Sequence, residues 1–131
     1  MGNVKKAKEI TATTENKVGK LAEFSSAVAG AGVNIAAICA YGMEDKAHFM
    51  AVTNNNAKAI AALKGKGYDV KEKDVVTVEL KDEVGALQGV SGKLAGANID
   101  LNYIYGSVSS NKASIIVFSS NNNEKAIEAL G

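Results

Sequence analysis

The 131-residue sequence predicts an α+β fold: two β-α-β-β-α-β repeats, each an antiparallel sheet with helices on one face, the second lacking its last strand. Three observations predict it. The chain repeats itself at an offset of 66 residues. Each copy alternates short β-prone runs with stretches whose apolar residues recur at three and four. The composition, 47% apolar and 22% charged, is that of a globular protein.

The repeat organises everything else. Residues 17–56 align with 83–122, with 12 identities in 40 positions. They include Val18/Val84, Gly19/Gly85, Leu21/Leu87, Gly30/Gly96, Ile38/Ile104 and Asn55/Asn121. Many other pairs are conservative, such as Phe24/Val90, Val28/Leu94 and Val33/Ile99. A one-residue shift then aligns residues 58–63 with 125–130. The expected boundaries are 1–74 for the first repeat and 75–131 for the second.

Each repeat opens with a short β-prone run, 10–13 or 75–78. A polar turn follows, 15–17 or 81–83. The next segment places Leu21, Phe24, Val28 and Ala31, or Leu87, Val90, Leu94 and Ala97, on one helical stripe. Gly30, Gly32 and Gly96 end those helices. Two strands follow around 34–41 and 47–53, joined by a turn at 42–46. Their counterparts are 100–107 and 112–119, with a turn at 108–111. The Asn triplets 54–56 and 121–123 stand where helix N-caps are needed. Second helices follow, carrying Ile60 and Leu63, or Ile127 and Leu130. Residues 68–71 make the last strand of the first repeat and run almost directly into the second. This order is the ferredoxin-like split motif. The second repeat ends one strand short, so either the chain is truncated or that sheet edge is covered by something else. A unit of this size buries only ~60% of its unfolded surface, so the repeats are expected to dock.

Composition excludes several functions. The formal charge is +1, which argues against nucleic acid or an anionic membrane as partner. All basic residues are lysine, so no guanidinium clamps a phosphate or carboxylate. The single cysteine, Cys39, allows no intrachain disulfide, and the single histidine, His48, allows no multi-His metal site. Cys39 reads as a small core hydrophobe and His48 as a sheet-face residue. Lysines 5, 6 and 8 read as a solvated strand end. With no signal-peptide core and no apolar run of membrane length, a cytoplasmic location is expected. The balance favours a binding module over an enzyme, with no cofactor.

The turn Glu15-Asn16-Lys17-Val18-Gly19-Lys20-Leu21, followed by Ala31-Gly32-Val33-Asn34-Ile35, resembles an ACT domain. Lys81-Asp82-Glu83-Val84-Gly85-Ala86-Leu87, with Ala97-Asn98-Ile99-Asp100-Leu101, resembles a second. The resemblance covers nearly the whole chain. Where family members often carry Pro before the turn Gly, Val18 and Val84 stand here. The resemblance implies a stand-alone tandem regulatory module that binds a free amino acid and acts on a metabolic enzyme.

The residues suit such a ligand. Its carboxylate fits the start of a helix, where free N–H groups and the positive dipole end converge. Gly19 and Gly85 stand there. Its ammonium fits a side-chain oxygen of Asn16, Asp82, Asn34 or Asp100. If the second strands of the two repeats pair antiparallel, Asp100 and Leu101 approach the Asn16-Lys17-Val18-Gly19 turn, and Asn34 and Ile35 approach Asp82-Glu83-Val84-Gly85. The first combination balances an ammonium better than the second, which gathers two acids. Plainer readings stand beside these. Asn16 and Asp82 suit ordinary helix N-caps, the two glycines suit close packing on a strand, and Asn34 and Asp100 suit strand openings. The alternative function is a structural module that binds no small molecule and dimerises through its sheet, with Tyr103 and Tyr105 at the interface. In either reading a homodimer is a candidate state.

Overall fold

The computed structural model describes residues 3–81, 83–107 and 113–131. Asp82 and the 108–111 turn lie outside the described residues. The elements are β1 (Val4–Glu15), α1 (Lys20–Gly30), β2 (Ile35–Met43), β3 (Lys46–Thr53), α2 (Asn56–Gly65), β4 (Asp69–Lys81), α3 (Ala86–Gly96), β5 (Leu101–Ser107), β6 (Ala113–Ser120) and α4 (Asn123–Leu130). The last strand of the first repeat and the first strand of the second are one continuous strand, β4.

The chain divides into two compact units. The first is residues 8–73; the second joins residues 1–7 to residues 74–131. The strand order of the first unit is β2-β3-β1-β4, the ferredoxin-like order. β3 pairs antiparallel with both β1 and β2, with Ala12 opposite Phe49 and Ala40 opposite Phe49. Helix α1 turns Phe24 and Val28 onto the sheet, where Phe24 stacks on Phe49 at 4.5 Å between ring centroids and 7° between planes. Tyr68 tilts against both rings at 6.2 and 6.0 Å. Ile10, Ala12, Ala47, Ala51 and Leu63 complete this core. Burial of such side chains contributes roughly 1.5–3 kcal/mol each.

The second unit repeats the order as β1-β4-β6-β5. Its core is Val76, Val78, Val90, Leu94, Phe118 and Leu130. The place of the absent last strand is taken by the start of β1. Glu79 N–H donates to Asn3 O at 2.9 Å, Val4 packs on the second core, and Lys6 reaches Glu124 of α4 at 3.6 Å. The open sheet edge expected from sequence is therefore covered by residues that the sequence-based boundary assigns to the first repeat. Lys5, Lys6 and Lys8 are exposed on that strand.

The helix ends follow from local chemistry. After α1, Gly32 takes a left-handed φ of 75°, and Val33 N–H returns to Val28 O at 3.2 Å, a Schellman closure. After α3, Asn98 takes the same conformation at φ 59°, and Ile99 N–H returns to Leu94 O at 2.9 Å. The Asn triplets are caps and staples. Asn55 and Asn122 accept from the N–H of Lys58 and Lys125 at 3.2 and 3.1 Å. Asn56 and Asn123 donate to the carbonyls of Lys8 and Asp74 at 3.1 and 3.2 Å, tying each second helix to the first strand of its unit.

Candidate functional site

The first unit carries a cleft of about 280 Å³ where β1 hands over to α1. Its walls are the turn residues Asn16, Lys17 and Gly19, the helix start Lys20 and Leu21, and the facing strand residues Tyr41, Gly42 and His48. Asn16 N–H donates to Asp45 O at 2.8 Å, which fastens the end of β1 to the β2–β3 turn. The Asn16 side chain lies over Gly42: a Cβ built there would stand 2.7 Å from Asn16 Nδ2. Gly42 is thus the residue that leaves Asn16 room. His48 stacks on Tyr41 at 5.1 Å, and its Nδ1 is 3.4 Å from Thr13 Oγ1.

Gly19 occupies the N-cap of α1 at φ 91°, and Gly85 occupies that of α3 at φ 86°. Such a backbone strains any residue with a Cβ. Close packing is not their reason. Nothing lies within 4 Å of a Cβ built at Gly19, and only Gln88 Oε1, at 3.8 Å, is near one at Gly85. Neither helix has a side-chain cap, so Asn16 is not the N-cap of α1. The start of α1, with no side-chain cap, borders the cleft at Gly19, where helix N–H groups suit a small anion.

The local charges are few. Lys17 pairs with Glu15 at 3.1 Å, and Lys20 with Glu23 at 3.2 Å. The Lys20 ammonium also stands 5.7 Å from the Tyr68 ring centroid, and the Tyr68 hydroxyl donates to Lys20 O at 3.2 Å. The Tyr68 hydroxyl first, and Lys20 second, hold the Glu23 carboxyl below its usual range. Burial first, and Glu23 second, push the Tyr68 phenol well above its ordinary value. Among the described residues no cluster of three or more His, Cys, Asp or Glu can hold a metal ion, and no helix is long and apolar enough to cross a membrane.

Of the sequence-predicted residues, Asn16, Lys17 and Gly19 meet at this cleft, and Val18, in the same turn, is fully exposed. Glu83, Val84 and Gly85 form the matching turn of the second unit, whose Val84 is likewise fully exposed. Asn34 and Ile35 stand at the other end of β2, with Ile35 roughly 17 Å at strand rise from Ala40, the nearest cleft residue on that strand. Asn34 N–H is held there by Asn54 Oδ1 at 2.9 Å, and Asp100 N–H by Asn121 Oδ1 at 3.1 Å. Both Asn34 and Asp100 therefore open their strands, and their side chains are exposed. β2 is bonded to β3 and β5 to β6; among the described residues no ladder pairs β2 with β5, the antiparallel pairing expected from sequence.

Sequence reasoning missed Tyr41 and Gly42, and it missed an exposed apolar set. Leu21 and Leu87, expected in the buried stripes, are 55% and 54% exposed, each on the first turn of its helix. Ile38 and Ile104 on the edge strands are exposed as well. These are repeat-equivalent pairs, and their identity across the two copies was the available signal.

Comparison with known proteins bears on the fold and the family. No curated protein matches the chain in sequence at a significant level. Among solved structures, protein BT0572 from Bacteroides thetaiotaomicron is 29% identical, with a TM-score of 0.87 over 97% of this chain and 88% of that one. The regulatory subunit of aspartate kinase from Thermus thermophilus is 12% identical, with a TM-score of 0.69 over 98% and 95%. That from Thermus flavus is 15% identical, with a TM-score of 0.65 over 98% and 93%. The model of the ACT domain pair matches residues 6–130, and so, by its duplicated strand–turn–helix and by that match, the chain belongs to the ACT domain pair family.

Proposed function

We propose that this chain is a non-catalytic regulatory module that binds a free amino acid at the turn preceding α1. The observation that carries the reading is the cleft itself: Asn16, Lys17 and Gly19 converge on open space at an uncapped helix start. The ligand carboxylate lies at the helix start, and Asn16 Oδ1 supports the ammonium. The similarity to regulatory subunits of aspartate kinase supports a partner that is a metabolic enzyme.

Asp100 and Leu101 join this site when a second copy of the chain adds its β5 to the free edge of β2. The turn Glu83-Val84-Gly85 then receives Asn34 and Ile35 in the same way. The apolar residues beside those edges support the dimer: Val18, Leu21 and Ile38 in one unit match Val84, Leu87 and Ile104 in the other, and all are exposed. They equally support the second reading, a module that only dimerises.

Thermal shift of the full chain against each of the twenty amino acids separates the two readings. A ligand at 100 times its Kd stabilises the fold by ~2.7 kcal/mol. Asp100→Ala weakens that shift and leaves the unliganded fold intact. No shift with any amino acid at millimolar concentration, in a chain that sediments as a dimer, rejects binding and leaves the interaction module.

A further inference from the structure

We infer that the cleft of the first unit selects a dicarboxylic amino acid, with Lys20 as the residue that recognises the second carboxylate. This rests on the amino-acid-binding reading above and adds the class of ligand. Four observations carry it. First, the formally charged residues lining the cleft are Lys17 and Lys20, with no carboxylate among them. Both are paired to carboxylates outside the cleft lining, Lys17 to Glu15 at 3.1 Å and Lys20 to Glu23 at 3.2 Å, and each ammonium keeps donors for a second carboxylate, whereas a cationic side chain finds no carboxylate in the lining. Second, Lys20 is the better placed of the two. Its side chain is only 18% exposed, held between Glu23 and the Tyr68 ring, so its charge is less screened than that of Lys17 at 66%. Third, the cleft adjoins another, of about 510 Å³, which Lys20 also lines together with Lys46 and Lys66, against Glu15 and Asp69. A second anionic group extending past Lys20 therefore meets three cations and two acids. Fourth, at about 280 Å³ the first cleft is smaller than the ~300 Å³ at which drug-sized pockets begin, and it suits a small metabolite. The second unit lacks these charges, since Glu83 and Ala86 replace Lys17 and Lys20.

Isothermal titration of the full chain with aspartate, glutamate, asparagine, glutamine and lysine tests the inference. Aspartate or glutamate is expected to bind about fivefold more tightly than its own amide, the effect of one ion pair in a wet site. The gap narrows as salt rises. Lys20→Met removes the gap by weakening the diacid alone, and Lys20→Arg retains it. Should Lys20→Met fail to fold, Lys17→Gln, at an exposed position, is expected to narrow the same gap. An amide that binds as tightly as its diacid, or lysine as the preferred ligand, overturns the charge selection and leaves the amino-acid reading standing. Absence of heat with all five, together with no thermal shift from the other fifteen, overturns both.

Discussion

The two units solve one folding problem with different stretches of chain. Each has a four-strand order flanked by two helices, each starts its first helix at a left-handed glycine, and each starts its second helix at an Asn cap. The first unit takes all of this from one continuous segment, residues 8–73. The second takes its last strand from residues 3–7, at the other end of the chain. A repeat in sequence and a repeat in space therefore need not share boundaries. What must be conserved between copies is the covered edge of the sheet, since an open one presents unpaired N–H and C=O groups.

The largest test of the comparison is to remove residues 1–7. The second unit then loses its edge strand and the packing of Val4, at a cost of about 3 kcal/mol. Hydrogen exchange is expected to show lost protection in β4 after residue 75 and in α4, while α1 and β3 keep theirs. Equal loss in both units would mean that they do not differ in how they are built.

A smaller effect tests what the units share. Gly19→Ala and Gly85→Ala each force a Cβ into a left-handed turn, at a cost of about 1–2 kcal/mol by urea denaturation. Since nothing crowds either position, the two costs should match. A much larger cost at one of them would reveal a contact that its twin lacks.

The smallest effect sharpens a difference. The pair Tyr68 and Glu23 belongs to the first unit alone, with Gly89 at the position of Glu23. The folded Tyr68 phenol titrates above its unfolded value, so its stabilisation is complete below pH ~10 and fades as pH rises past it. Glu23 is shifted the other way. Its small contribution is present above the ordinary carboxylate range and is lost on acidification. Tyr68→Phe should flatten the alkaline arm of the stability profile; an unchanged arm would separate Tyr68 from it.

Much of the fold was legible because duplication amplifies weak signals. Phe24 and Val28 alone make a short stripe; matched by Val90 and Leu94 at the same offset, they define two helices. The Asn triplets were legible as caps for the same reason. The strand at residues 3–7 was not legible. Asn3-Val4-Lys5-Lys6-Ala7 offers one good apolar residue, and its partner lies more than 70 residues away in sequence, beyond any local pattern. At the candidate cleft, the turn that places Asn16, Lys17 and Gly19 was readable because it occurs twice. Tyr41 and Gly42 were not, because they reach the turn only when β2 runs back along β3 and sets Gly42 beneath Asn16. The exposure of Leu21 and Leu87 was hidden too, since periodicity reports which face a residue is on and not how completely that face is covered.

The split of β1 between two units carries a consequence for synthesis. Once residue 73 has left the ribosome, everything the first unit requires is available, and it can settle while the rest is still being made. The second unit must wait for α4 and then pair with residues made before all of its other elements. By the same token, a tag or fusion attached ahead of residue 3 hangs from the later-folding unit, and any strain it exerts is borne there and not by the residues next to it in sequence.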